Sequence, residues 1–175
     1  MKTYKNLYGK LCSIENLKLA FRKAKKRKSR KHYVKEFEAN LVRELSILRE
    51  ELLLQSYKPK PLKRFIIRDP KTRVIHSSAF RDRVVHHALC NIMLPVFEKS
   101  FMFDSYANRK EKGVHKALKR FDVFLRRASK NGKLVKSAKN KNMTIGYVLK
   151  ADIRHYFDSV DHEVMMQVIS RKIKD

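Results

Sequence analysis

The chain has 175 residues, of which 43 are Lys or Arg and 17 are Asp or Glu, so its formal net charge is +26. Hydrophobic residues make up 43% of the sequence, which is enough for a folded core and argues against wholesale disorder. No apolar run approaches the roughly 18 residues of a transmembrane helix, and two cysteines cannot form a disulfide framework, which favours a reducing compartment.

The excess of positive charge predicts a polyanionic partner. A charge of this size destabilises a compact chain by self-repulsion unless a partner neutralises it. Nucleic acid is the usual partner, because Lys and Arg displace condensed counterions from phosphates. An anionic membrane is the alternative, but membrane-bound helices separate a basic face from an apolar face. Here the basic residues are spread along the whole chain, which favours nucleic acid and predicts no membrane partner.

Residues 1–35 form a basic N-terminal extension, with 13 Lys and Arg and a single acidic residue. Ser13 is predicted to cap a helix, which runs into the basic run (residues 22–31). This run is either a solvated face or a contact for a nucleic-acid backbone, and the charge of the whole chain favours the second interpretation. Such contacts carry no sequence specificity. The eight predicted nucleic-acid-binding residues are Arg22, Lys23, Lys25, Lys26, Arg27, Lys28, Arg30 and Lys31.

The next segment is predicted to contain a helix and a hairpin. Apolar residues three and four apart over residues 34–52 predict one long amphipathic helix, which ends before the prolines at 59 and 61. Two β-prone runs around an Asp-Pro turn predict a β-hairpin over residues 64–77. Its tip carries cations that either clamp a triphosphate or protect an exposed edge from aggregation, and spacing alone leaves both open. These cations are Arg68, Lys71 and Arg73.

Two further helices are predicted over residues 81–99 and 113–128, and a basic loop over residues 130–141. His86 and Cys90 are four residues apart on one helical face. Without a second pair of ligands at zinc spacing, solvated side chains are the better interpretation of this pair.

The last segment contains the most informative pattern. Residues 144–151 predict a strand that leads directly to Asp152, and a helix is predicted to begin at an Asp161 cap. A carboxylate at the end of an apolar strand is a common ligand of divalent cations. A single Asp at this place is otherwise a turn or capping residue.

Three stretches, in order, resemble a known family. The sequence YVLKADIRHYFDSVDHEVM (147–166) resembles the first catalytic palm motif of reverse transcriptases of the retron, group II intron and diversity-generating type. Upstream, RDRVVHHALCNIMLPVFEKSFMFDSYANRKEKGVHKAL (81–118) is similar to the fingers motifs of that family, and the hairpin matches its finger strands. The resemblance covers about residues 40–175, and three motifs in the correct order are far more specific than one.

The resemblance implies a catalytic role for Asp152. This residue would be the first catalytic carboxylate and would bind both Mg²⁺ ions (or Mn²⁺) of a two-metal nucleotidyl transfer. The backbone carbonyl of Ile153 would be a further metal ligand.

The resemblance also implies a nucleotide site. His155 and Tyr156 would lie beside the triphosphate through their backbone amides, and Phe157 beneath the sugar would select deoxynucleotides. Arg109 would lie near the path of the template. Arg73, with Arg68 or Lys71, would clamp the triphosphate from the fingers.

The implied fold is α+β, a helix-rich fingers region with a small antiparallel hairpin that leads into an incomplete polymerase palm. The domains would be a basic extension (1–35), the fingers (36–142) and the first palm strand, motif and helix (143–175). The implied activity is that of an RNA-directed DNA polymerase. Its partners would be an RNA template, a DNA or RNA primer and a dNTP, in the cytoplasm of a bacterium or archaeon or encoded by a phage.

The sequence departs from the family in one respect. The second catalytic motif, an aromatic residue, a variable residue and two aspartates, occurs nowhere in the 175 residues. We therefore expect no polymerase activity from this chain alone, since one carboxylate cannot hold two Mg²⁺ ions. A truncated gene, a deliberate fragment and a split protein whose palm a second polypeptide completes remain open. The alternative functions are a non-catalytic RNA-binding protein derived from such an enzyme, a basic structural protein of ribosomal type and a membrane-surface protein.

Overall fold

A computed structural model of the chain describes residues 2–134 and 147–175. The chain divides into two compact units, residues 1–99 with 162–175, and residues 100–161. The described residues form helices and one two-stranded antiparallel sheet, which confirms the predicted helix-rich α+β class. The predicted division into extension, fingers and palm is a division by function, and it stays a prediction.

The first unit holds most of the secondary structure. Its helices and strands are α1 (Tyr8–Leu11), α2 (Ile14–Lys25), α3 (His32–Ala39), α4 (Leu41–Leu53), β1 (Lys63–Ile67), β2 (Arg73–Ser77), α5 (Phe80–Glu98) and α7 (His162–Ser170). The second unit contains α6 (Val114–Ala128) and two short 3-10 turns, Lys130–Gly132 and Tyr156–Asp158. Among the described residues, no helix is long and apolar enough to cross a membrane.

Helix α2 begins where the sequence predicts. The backbone amide of Asn16 donates to the Ser13 side-chain oxygen over 3.2 Å, which satisfies one amide of the first turn. Leu17, Ala20 and Phe21 are buried. The last turn is basic, and cations are favourable at this end of a helix because the partial charge of its exposed carbonyls is negative.

The predicted single helix over residues 34–52 is wrong in one respect, because it is two helices. Helix α3 ends at Ala39, Asn40 leaves the helical conformation with φ −111° and ψ 27°, and α4 begins at Leu41. Asn is a weak helix former because its side chain competes for backbone hydrogen bonds. The predicted apolar face is nevertheless buried at Val34, Phe37, Leu45, Leu48 and Leu52.

An aromatic cluster joins the helices of the first unit. The ring centroid of Phe80, at the start of α5, lies 5.2 Å from that of Phe37 and 6.1 Å from that of Phe21, both edge to face. Phe21 and Phe37 are stacked at 5.8 Å. Aromatic pairs at these distances and angles add about 0.5–1.5 kcal/mol each beyond the burial of their area. This cluster fixes α5 against α2 and α3.

A buried carboxylate fixes the segment after α4 to the first turn of α5. Asp82 is 1% exposed. It accepts a hydrogen bond from the Tyr57 hydroxyl over 2.8 Å and another from the Lys60 backbone amide over 3.0 Å. Burial, together with the hydrogen bond to Asp82, raises the pKa of Tyr57, so the phenol stays neutral. The sequence identifies Asp82 only as part of a helix start.

The predicted hairpin is confirmed, over Lys63–Ile67 and Arg73–Ser77. The strands are antiparallel, with Lys63 opposite Ser77 and Ile67 opposite Arg73. Residues 68–72 therefore form the connecting loop, and both strands are largely exposed.

The predicted strand over residues 144–151 is not found where the structure describes it. Residues 147–151 have no strand structure and are exposed, with Tyr147 at 97% and Leu149 at 93%. Residues 144–146 lie outside the described part of the chain, as do residues 135–141 of the predicted loop. A strand needs a hydrogen-bonded neighbour, and none pairs with residues 147–151 among the described residues. The helix predicted at Asp161 is confirmed as α7.

The end of the first unit pairs with its beginning. The Tyr4 amide donates to the Lys172 carbonyl over 2.8 Å, and the Lys174 amide donates to the Tyr4 carbonyl over 2.9 Å. The Asp175 side chain accepts from the amides of Leu7 and Tyr8. The first unit is thus assembled from two separate parts of the sequence.

Candidate nucleic-acid interface

The basic run lies at the C-terminal end of α2 and on the turn that follows it. Seven of its eight cations are exposed, and only Lys25 is half-buried, where its ammonium pairs with Glu38 of α3. The amide of Lys28 donates to the Lys25 carbonyl over 2.8 Å, and that of Lys31 to the Lys28 carbonyl over 3.0 Å. These turns hold the chain locally compact, so the cations are presented densely to solvent.

Helix α5 packs against α2 beside this surface. The Lys23 ammonium donates to the side-chain oxygen of Asn91, and the Asn91 side chain in turn donates to buried Asn16 over 2.9 Å. His87 lies on the same helix as Asn91, close enough to Lys23 and Lys28 for their charges to act on it. Burial first, and then these two lysines and His86, lower the pKa of His87. The sequence gives no signal for this histidine, because its position depends on the packing of α2 against α5.

We expect the stability of the fold to respond to acid through His87. Its pKa is lower in the folded than in the unfolded chain, so the unfolded state takes up the proton first as the pH falls. The stability from the neutral imidazole is present above about pH 6.5 and is lost as the pH falls through the folded pKa. Urea unfolding across this range should show a weaker acid dependence for His87→Gln than for the parent chain. His115→Gln on α6 is the control, because it removes an exposed imidazole. If the stability of His87→Gln and that of the parent depend equally on acid, His87 is not the group responsible.

The cations of the hairpin tip, Arg68, Lys71 and Arg73, are all exposed. Arg73 pairs with Ile67 as the last rung of the hairpin, so the three cations lie at or beside the connecting loop. Within the described residues, none of the three forms an ion pair. Even with the carboxylate of Asp69 in the same loop, the tip keeps a net positive charge, which suits an anionic ligand, and its triphosphate role stays a prediction.

The segment around Asp152 is open to solvent. Asp152 is exposed, Ile153 is 67% exposed and Phe157 is 88% exposed. His155 adopts the left-handed conformation, with φ 51° and ψ 37°, and turns the chain into the 3-10 turn Tyr156–Asp158. The rings of Tyr156 and Phe157 lie 5.2 Å apart, edge to face.

The described residues leave the Mg²⁺ site at Asp152 and Ile153 a prediction. Among them, no three His, Cys, Asp or Glu side chains lie together in a way that could hold a metal ion. One carboxylate and one carbonyl do not complete the coordination of Mg²⁺.

The predicted nucleotide-binding residues belong to different compact units. The hairpin tip is part of the first unit, whereas Asp152, His155, Tyr156 and Phe157 are part of the second. Their assembly into one site stays a prediction.

Arg109 binds its own loop in the second unit. Its guanidinium donates to the carbonyls of Met102 and Ser105 over 2.8 Å and 3.1 Å, and it lies 5.5 Å from the centroid of the Phe101 ring. These bonds give Arg109 a role in shaping the loop. The predicted contact of Arg109 with nucleic acid stays a prediction.

Similarity to known proteins covers most of the chain. No protein-family model matches it. It is 34% identical to Protein YkfC of Escherichia coli (strain K12) over 141 residues, which are 79% of this chain and 34% of that protein. It is 25% identical to the group II intron-encoded protein LtrA of Lactococcus lactis subsp. cremoris over 123 residues, which are 69% of this chain and 18% of that protein.

The chain is a distant homologue of a group II intron-encoded protein. This finding confirms, at a coarse level, the group II intron part of the resemblance described above. The chain spans about a third of the length of Protein YkfC and about a fifth of the length of LtrA.

Proposed function

We propose that the chain binds RNA and forms the fingers and first catalytic motif of an RNA-directed DNA polymerase encoded by a retroelement. The observation that carries RNA binding is the exposed basic run at the end of α2 and on the turn that follows it. The polymerase part is supported by the three ordered motifs and by the distant homology to a group II intron-encoded protein.

RNA binding follows from the charge and exposure of the basic run. Each phosphate that a Lys or Arg neutralises releases condensed counterions, which favours binding without regard to sequence. A folded helix end presents these cations at lower entropic cost than a disordered tail, because the backbone is already fixed. The run therefore suits the backbone of an RNA template or of an RNA–primer duplex.

The nucleotide part of the proposal concerns the hairpin tip and the Asp152 segment. In the complete enzyme, Arg68, Lys71 and Arg73 hold the triphosphate of a dNTP, while Phe157 lies under its sugar. Asp152 supplies one carboxylate and Ile153 one carbonyl toward Mg²⁺. Further ligands must come from outside these 175 residues, for example from a second polypeptide that completes the palm.

The two halves of this proposal are tested on the purified chain with RNA, a primer and dNTPs. We expect salt-dependent RNA binding and no primer extension, because the sequence has one catalytic motif and lacks the double-aspartate motif. Hydroxyl-radical footprinting with Mg²⁺ should show dNTP-dependent protection of Arg73 and Phe157. Primer extension by this chain that is lost in Asp152→Ala would overturn the proposal that the chain alone has no polymerase activity.

A second function, a non-catalytic RNA-binding protein derived from such an enzyme, is favoured by one observation. The described residues gather no group of potential metal ligands around Asp152. For this function, RNA affinity is indifferent to Mg²⁺ and dNTPs, and Asp152→Asn leaves the footprint unchanged. Protection of Arg73 and Phe157 that appears only with dNTP decides against it.

A further inference from the structure

The loop over residues 101–113 folds onto the first half of α6 through cations and aromatic rings. The Lys112 ammonium lies 4.4 Å from the centroid of the Phe103 ring and 5.1 Å from that of Tyr106, and it donates to the Phe103 carbonyl. The amide of Gly113 donates to the Tyr106 carbonyl over 3.1 Å, at a φ of +105° that favours glycine. This loop is therefore shaped by specific bonds within the second unit.

Arg120 of α6 holds the other side of the loop. Its guanidinium donates to both carboxylate oxygens of Asp104, over 2.8 Å and 3.3 Å, and lies 4.5 Å from the centroid of the Phe124 ring. The hydrogen bond from Arg120 lowers the pKa of Asp104, so the pair stays ionised. Asp104 compensates the charge of Arg120, and the remaining cations are not compensated in this way.

The loop and α6 line a cavity of about 420 Å³ that is open to solvent. Its volume lies within the range of small-ligand sites. Five of the lining side chains are cations, and these are Lys110, Lys112, Lys116, Lys119 and Arg120. The lining has one carboxylate, Glu111, whose oxygen lies 3.9 Å from the Lys110 ammonium. The five cations outnumber the two carboxylates, Glu111 in the lining and Asp104 beside Arg120, by three.

Lys116 and Lys119 supply most of this excess. Both are exposed on α6 and line the cavity, and neither pairs with a carboxylate within the described residues. Three residues apart on a helix, their side chains lie on one face. The rings of Phe103 and Tyr106 line the same cavity. Ammonium groups beside aromatic rings are the combination that binds single-stranded nucleic acid, because phosphates pair with the cations while bases contact the rings.

We propose that this cavity is a second RNA-binding site, which takes a single-stranded segment with its phosphates on Lys116 and Lys119 and a base against Phe103 or Tyr106. The proposal rests on the RNA-binding function proposed above, and it adds a contact on the second unit to the basic run of the first. Duplex RNA does not fit, because its bases are stacked and paired and cannot reach the rings.

The test compares two double variants of the full chain that remove the same charge from the same helix. Lys116→Gln/Lys119→Gln removes two of the three uncompensated cations of the cavity and leaves Lys112, and Arg126→Gln/Arg127→Gln removes two exposed cations outside it. The probe is fluorescent, unstructured single-stranded RNA, and the measurement is its anisotropy across a range of salt concentrations. The cavity variant should bind the RNA about tenfold more weakly than the parent. Its slope of log affinity against log salt concentration should be smaller by about 1.4, since each single-strand phosphate contact contributes about 0.7 to that slope. Equal slopes for the two variants would overturn the proposal.

Photocrosslinking separates a specific site from general attraction. RNA that carries 4-thiouridine should crosslink to Phe103 or Tyr106 in the parent and in the control variant, and this crosslink should be lost in Lys116→Gln/Lys119→Gln. A crosslink map without residues 101–112 would refute a base contact. Displacement by a mononucleotide as effective as that by unlabelled RNA, at equal phosphate concentration, would instead show a free-nucleotide site and overturn the RNA assignment.

Failure of this inference is distinguishable from failure of the proposed function. If the cavity variants match the control while neutralisation of the basic run still abolishes binding, only the second site is wrong. If the parent chain shows no salt-dependent RNA affinity at all, the proposed function fails with it.

Discussion

Neutralising the basic run should reduce the affinity for single-stranded RNA by a factor of about 10³ at moderate salt, because six counterion-releasing contacts are lost. The variant replaces with Gln the six cations of the run whose side chains form no hydrogen bond or ion pair within the described residues: Arg22, Lys26, Arg27, Lys28, Arg30 and Lys31. Lys23 and Lys25 are kept, since they bond to Asn91 and Glu38. The slope of log affinity against log salt should become smaller by about 4.

The matched control exchanges Lys for Arg, and Arg for Lys, at the same six positions. It keeps every charge, so its affinity should stay within a few-fold of the parent. Circular dichroism should show the same helix content in all three chains, because the six side chains are exposed. An affinity of the Gln variant equal to that of the exchange variant would show that RNA does not bind at this run.

Asp82→Ala should lower the free energy of unfolding of the first unit by about 2–5 kcal/mol, because two partly buried donors lose their hydrogen bonds to a buried, charged acceptor. The Tyr57 hydroxyl and the Lys60 amide both bond to this carboxylate, which is 1% exposed. Since small domains are stable by only about 5–15 kcal/mol, a loss of this size approaches complete unfolding. Urea unfolding followed by circular dichroism measures it.

Two further variants grade this effect. Tyr57→Phe removes one donor and leaves the Lys60 bond, so it should cost about 1–2 kcal/mol. Asp122→Ala removes an exposed carboxylate of α6 and should stay within about 0.5 kcal/mol of the parent. If Asp82→Ala and Asp122→Ala unfold at the same urea concentration, the buried carboxylate makes no net contribution to stability.

The elements with a local signal were predictable from the sequence. Helix α2 has a Ser13 cap and an apolar stripe, and the hairpin has two β-prone runs around a turn, so neighbouring residues are enough to specify both. The break at Asn40 was missed because the apolar spacing continues across it, and hydrophobic period alone does not register a one-residue interruption.

The features that depend on distant residues were not predictable. An apolar run ending at Ala151 is typical of a strand, but a strand forms only with a hydrogen-bonded neighbour, and sequence does not supply one. The burial of Asp82 depends on Tyr57, and the position of His87 depends on Lys23, each across a helix packing that a linear pattern does not encode. The cationic cavity likewise needs the loop to fold back over α6, which brings Lys112 beside Phe103.

The pairing of Tyr4 with residues at the other end of the sequence sets an order for synthesis. The hydrogen bonds from Tyr4 to Lys172 and from Lys174 to Tyr4 cannot form until Lys174 has emerged from the ribosome. The nascent chain therefore exposes its basic run, and the helices behind it, well before the first unit can close. For the RNA-binding function proposed above, this order means that RNA would meet these cations on a partly assembled protein, so that binding and folding would overlap in time.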